Sequence, residues 1–62
     1  MDVPTMTALL REAEERHAQY EAVAPPHHWS DWYAAFIVAR AEGESEEQAV
    51  ISAGRHMDVV LR

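Results

Sequence analysis

Apolar positions recur at three- and four-residue steps in the first third of the chain. Met6, Leu9, Leu10, Ala13, Tyr20 and Ala24 fall on one stripe, with His17 among them. That is the period of an amphipathic helix. Arg11, Glu12, Glu14, Glu15 and Gln19 take the other face. Thr5 or Asp2 can cap its start, Pro4 is tolerated in the first turn, and Glu12 stands four residues before Arg16 in the favourable acid-then-base order. Pro25-Pro26 ends this segment, because Pro25 pushes Ala24 out of helical geometry.

A second pattern begins at His27-His28-Trp29-Ser30-Asp31-Trp32-Tyr33 and runs into Ala34-Ala35-Phe36-Ile37-Val38-Ala39. Trp29, Trp32, Tyr33, Phe36, Ile37 and Arg40 lie along one side, and Ala34, Ala35 and Val38 make the opposite side almost as apolar. A helix that is apolar nearly all round is covered from more than one direction. Ser30 is the expected N-cap, with Asp31 in the first turn where the helix dipole favours an acid.

Glu42-Gly43-Glu44 is the next joint, with Gly43 as a left-handed helix end. Ser45-Glu46-Glu47-Gln48 matches a capping box. Ala49, Val50, Ala53, Met57, Val60 and Leu61 then share one face. Gly54 falls on that stripe at a cost of roughly 1 kcal/mol relative to alanine. The expected compensation is space for an aromatic ring of the second helix beside Ala53-Gly54. The pattern predicts an all-α, single three-helix domain over 1–62, with helices at about 5–23, 30–42 and 45–61 and the aromatic-rich second helix in the middle. Trp32, Phe36, Ala53, Gly54 and Met57 are the expected core cluster.

Composition narrows the possible roles. Sixty-two residues form a domain that is marginal alone. The absence of cysteine removes disulfides and thiolate metal sites. Five arginines, no lysine and eleven acids give a net charge of −6, without the basic stripe that nucleic acid requires, and the same charge disfavours anionic membranes. Met1-Asp2-Val3-Pro4 lacks the pattern of a signal peptide, and no apolar run approaches the ~20 residues of a membrane span. The expectation is a soluble, cytoplasmic protein.

Certain stretches carry a resemblance. His27-His28-Trp29-Ser30-Asp31-Trp32-Tyr33-Ala34-Ala35, together with Leu9-Leu10-Arg11-Glu12-Ala13-Glu14-Glu15-Arg16-His17, Gly43 and His56-Met57, resembles small bacterial helical proteins. It is similar to helical segments that accompany proteins of the glyoxalase and bleomycin-resistance type. The resemblance implies a compact helical unit. It implies no metal ligands, because the glyoxalase fold needs paired strands and many more residues.

The histidines are the candidates for chemistry. Glu14 and His17 form a Glu-x-x-His pair, the spacing of carboxylate-bridged metal sites in bundles. Glu14, His17, His28 and His56 are the candidate ligands of a metal-binding alternative, against the plain reading of hydrogen-bonded or solvated histidines. Ser30, Asp31 and the adjacent histidines are too close in sequence to assemble a triad, which is built from separated segments. No catalytic residue and no cofactor are expected. Glu42, Glu44, Glu46 and Glu47 read as a solvated joint and a first helical turn, with an acidic docking surface as the alternative. Trp29 and Trp32 are candidate interface anchors. Ile51, Arg55, Val59 and Arg62 share an edge of the third helix off its main stripe. Ile51 and Val59 therefore head the expected interface of a homodimer, or of contact with another protein. The leading expectation is a non-enzymatic, self-associating interaction module, with an accessory subunit or tail of a larger enzyme as a weaker one.

Overall fold

The computed structural model describes residues 1–61 and consists of α1 (Val3–Glu21), α2 (Trp29–Ala41) and α3 (Glu46–Val60). Arg62, expected on the α3 edge, lies outside the described residues. Among those described there is no strand. α2 occupies the middle: α3 packs on it most extensively and α1 on another side, while α1 and α3 touch little.

Each helix end has a local cause. Asp2 is the α1 N-cap, its Oδ1 accepting the Thr5 N–H at 3.0 Å. Pro4 needs no intrahelical donor at the second helical position. α1 stops at Glu21, two residues before its expected end, and the chain turns through a Val23 N–H to Tyr20 carbonyl bond of 3.1 Å. The prolines thus lie in a joint already turned back toward α1.

The α2 start corrects an expectation. His28, not Ser30, is the N-cap, its ring accepting the Ser30 N–H at 3.3 Å with the Ser30 hydroxyl 2.7 Å away. An imidazole nitrogen can accept this bond as a hydroxyl does, which moves the cap back two residues and leaves Ser30 as the donor.

The α2–α3 corner is closely specified. Gly43 has φ +99°, its N–H bonds the Arg40 carbonyl and the Glu44 N–H bonds the Ala39 carbonyl, which is a Schellman ending. The Arg40 guanidinium reaches the Glu44 carbonyl at 2.7 Å and Glu12 of α1 at 3.0 Å. The Ser52 hydroxyl donates to the Glu44 carboxylate at 2.7 Å. Ser45 and Gln48 close the capping box reciprocally. Glu12 pairs across helices with Arg40 rather than with Arg16, which reaches Glu46 and Glu47 of α3 at 3.5 and 3.7 Å. Much of the acidic joint is thereby tied inward.

The core is large on α2 and small on α3. Trp32 and Phe36 stack at 5.3 Å and are fully buried with Met57. Ala49 and Ala53 line the α3 side, Leu9 and Ala13 the α1 side. Gly54 does not belong to this seam. It is half-buried, and a Cβ added there would meet nothing within 4 Å. One residue is about 100° around a helix, so Ala53 faces the rings while Gly54 lies beside them. Met6, Val60 and Leu61 are exposed although their stripes continue inward. At 1.5 Å per residue the 13-residue α2 is shorter than both neighbours, whose outer turns run past it.

Candidate functional site

The end of α1 and the joint after it converge on one aromatic corner. His17 comes from the inner stripe of α1, Tyr20 and Glu21 follow on its last turn, and Trp32 and Tyr33 face it from α2. The turn at residues 22–26 brings His27 back over His17. The His17 ring lies 5.2 Å from both Trp32 and Tyr33 and 5.1 Å from His27, centroid to centroid. His17 is 4 % exposed and is the one buried polar residue of those described.

Hydrogen bonding determines the tautomers of the pair. His27 Nδ1 lies 2.9 Å from the Pro25 carbonyl oxygen, which only accepts, so Nδ1 carries the proton. Nε2 of neutral His27 is therefore a bare lone pair. His17 Nε2 is 2.8 Å from it and must donate. That leaves His17 Nδ1 unprotonated, 3.8 Å from Glu21 Oε1 one turn along the helix. Burial pushes the His17 pKa down, Glu21 pulls it partly back up, and His27 lowers it further. Burial also raises the Tyr33 phenol, with Glu14 and Glu21 adding to the effect.

Among the described residues, His17, Glu21 and His27 are the one group of three possible metal donors whose ligand atoms converge, all within 4.8 Å of one another. The expected set of Glu14, His17, His28 and His56 is not brought together. Glu14 is exposed and outside this group. His28 is committed to the α2 cap and stacks on Trp29 at 5.8 Å. His56 lies on the α2–α3 side, 3.8 Å from Asp31. Sequence reasoning missed Glu21 and His27. The first was visible as the i, i+4 partner of His17, whereas the second depends on how the proline joint turns.

Trp32 is corrected from interface anchor to core, with no accessible surface. Its indole Nε1 has no hydrogen-bond partner among the described residues. A buried unpaired donor costs about 1–3 kcal/mol, here set against the burial of a whole tryptophan. Trp29 is 54 % exposed and meets Tyr33 edge-on at 5.0 Å.

A second feature lies on the other side of α2. Val38 is two positions before Arg40, and residues two apart on a helix point away from each other. Arg40 reaches α1, so Val38 and Ala34 look outward, beside α3. With Ala35, Ser52 and His56 they line a groove of about 420 Å³. Glu44 and Ser52 connect it to a second hollow at Gln48, Ile51 and Arg55. Val38 and Ile51, one in each hollow, stand 54 % and 55 % exposed, and Val59, 68 % exposed, lines neither.

No helix among the described residues is long and apolar enough to cross a membrane. Comparison with protein families, with curated proteins and with solved structures found no match.

Proposed function

We propose that this chain is a non-enzymatic assembly module that pairs with a second copy of itself through the outer face of α2 and α3. The supporting observation is the exposure of Val38 and Ile51 at two adjoining hollows that share Glu44 and Ser52, on helices whose other sides are buried. Exposed apolar side chains set in hollows with a polar rim are a feature of interaction surfaces. A standard interface takes about 800 Å² from each partner, under a fifth of the 4300 Å² this chain exposes.

The face is also suited to meeting itself. It carries a cation, Arg55, beside acids, Glu42 and Glu44. A two-fold axis places each patch against its copy, so Arg55 of one chain can approach the acids of the other. The opposing term is the −6 charge of each chain. Salt shortens the range of that repulsion to about 10 Å at 0.1 M and less above it, so pairing should strengthen with moderate salt.

Sedimentation equilibrium of the untagged chain at high micromolar concentration tests this. The expected mass is twice 7.0 kDa, more completely dimeric in moderate than in low salt. Ile51→Glu or Val38→Glu should return it to 7.0 kDa with the helical spectrum unchanged. A monomer throughout the range, or a dimer indifferent to both substitutions, rejects the assignment.

A further inference from the structure

We propose that His17, Glu21 and His27 form a binding site for a single divalent transition-metal ion of the zinc class, held between the two imidazole Nε2 atoms with the Glu21 carboxylate as third donor. The site belongs to one chain and is independent of self-association.

The first argument is the orientation of His27. Metal-ligating histidines typically donate their other ring N–H to a carbonyl or carboxylate, which sets the tautomer and aims the remaining lone pair. His27 already has this arrangement, with Nδ1–H on the Pro25 carbonyl at 2.9 Å and a bare Nε2 turned toward His17. The second argument is spacing. His17 and Glu21 are one helical turn apart on the same face, and a ligand atom of each lies within 4.8 Å of the other and of one on His27. The third is the surroundings. His17 is buried against Trp32 and Tyr33, which shield the inner side, while Glu21 is largely exposed and leaves a path for the ion.

The donor set is two neutral imidazoles and one carboxylate, which suits zinc and neighbouring ions and leaves a fourth position for water. Zinc at about 2.0–2.1 Å from each nitrogen, in tetrahedral geometry, sets those nitrogens about 3.3 Å apart. They are 2.8 Å apart in the hydrogen-bonded pair. Binding therefore replaces the His17–His27 hydrogen bond and opens the rings by a fraction of an ångström. The His17 proton moves from Nε2 to Nδ1, so that ring stays neutral and coordinates without losing a proton. Because a protonated imidazole cannot ligate, the ion competes with protons for these nitrogens.

Calorimetric titration of zinc chloride into chelator-treated protein, at neutral to mildly alkaline pH, provides the test. One ion per chain is expected. His27→Gln and Glu21→Gln, both at the accessible end of α1 and its joint, should each weaken binding at least ten-fold. His56→Gln should leave it unchanged. In ¹⁵N spectra the Nε2 resonances of His17 and His27 should both shift on saturation, while those of His28 stay in place. No binding by the wild-type chain overturns the proposal. So does wild-type affinity in both the His27 and Glu21 variants, or an equal loss in the His56 variant. Circular dichroism of each variant separates lost ligation from lost fold, and the imidazole shifts in the wild-type chain decide the matter if either variant unfolds.

Discussion

The two glycines should respond to alanine with opposite signs. Gly54 is inside α3, and a Cβ built there meets no atom within 4 Å. Gly54→Ala then adds helix propensity without a clash. Glycine is about 0.8–1.0 kcal/mol worse than alanine in a helix interior, and part of that difference is conformational freedom withdrawn from the unfolded chain. Gly43 also has open space around it, but its φ is +99°. A side chain at positive φ costs roughly 1–2 kcal/mol, and strain there would loosen the Schellman bonds from Gly43 and Glu44. For a domain of about this size, 1 kcal/mol moves the midpoint by ~4–8 °C. Gly54→Ala should therefore melt a few degrees higher and Gly43→Ala a similar or larger interval lower. Urea unfolding followed by circular dichroism at low micromolar concentration keeps any pairing out of the comparison. An unchanged slope with a shifted midpoint identifies a change of stability rather than of compactness. A destabilised Gly54→Ala would refute the argument, because it would mean that the space beside Gly54 is filled.

Removing the central ring should be far more damaging. Phe36→Ala deletes a fully buried α2 aromatic stacked on Trp32, at a cost of about 3–5 kcal/mol. That is comparable with what a single core of this size supplies, so the variant should lose its cooperative melt, and a near-wild-type transition would place Phe36 outside the core. Stability should also fall in mild acid. The folded state holds the His17 pKa below its ordinary 6.5, so the unfolded chain binds more protons between those two values. The stabilisation is complete above about pH 6.5 and is lost as pH falls toward the folded-state value. Urea midpoints across this interval measure the effect, and a midpoint that holds or rises on acidification contradicts it.

The helices were legible because their signals are local. Ser45 with Gln48 and the glycine at 43 operate within four residues of one another, and the structure uses both as their spacing predicts. The apolar stripes led to Trp32, Phe36, Ala53 and Met57 in the same way. What failed depended on phase or on joints. Ala53 and Gly54 differ by one step around the helix, too fine a distinction for a stripe that admits both. Ser30 and His28 can both cap a helix, and the choice between them depends on where the chain enters α2. Trp29 and Trp32 look equivalent in the sequence, yet three positions separate a half-exposed ring from one with no accessible surface. Glu21 lay at a readable spacing from His17. His27 did not, because its place is set by the turn at residues 22–26, whose path no periodicity describes.

The sealed contact between His17 and Trp32 also gives the molecule an optical property. Indole emission is sensitive to the charge of a neighbouring imidazole and to paramagnetic ions, and the two rings sit 5.2 Å apart, closed off from water. Trp29 is half-exposed and stacks on His28, so the two tryptophans should emit at separable wavelengths. The bluer component would follow what happens to His17, and the redder one what happens at the α2 cap, where Trp29 stacks on His28. Without any attached dye, the blue component would register proton uptake in the interior as it occurs. A paramagnetic ion such as copper at the α1–α2 junction would darken the blue component first.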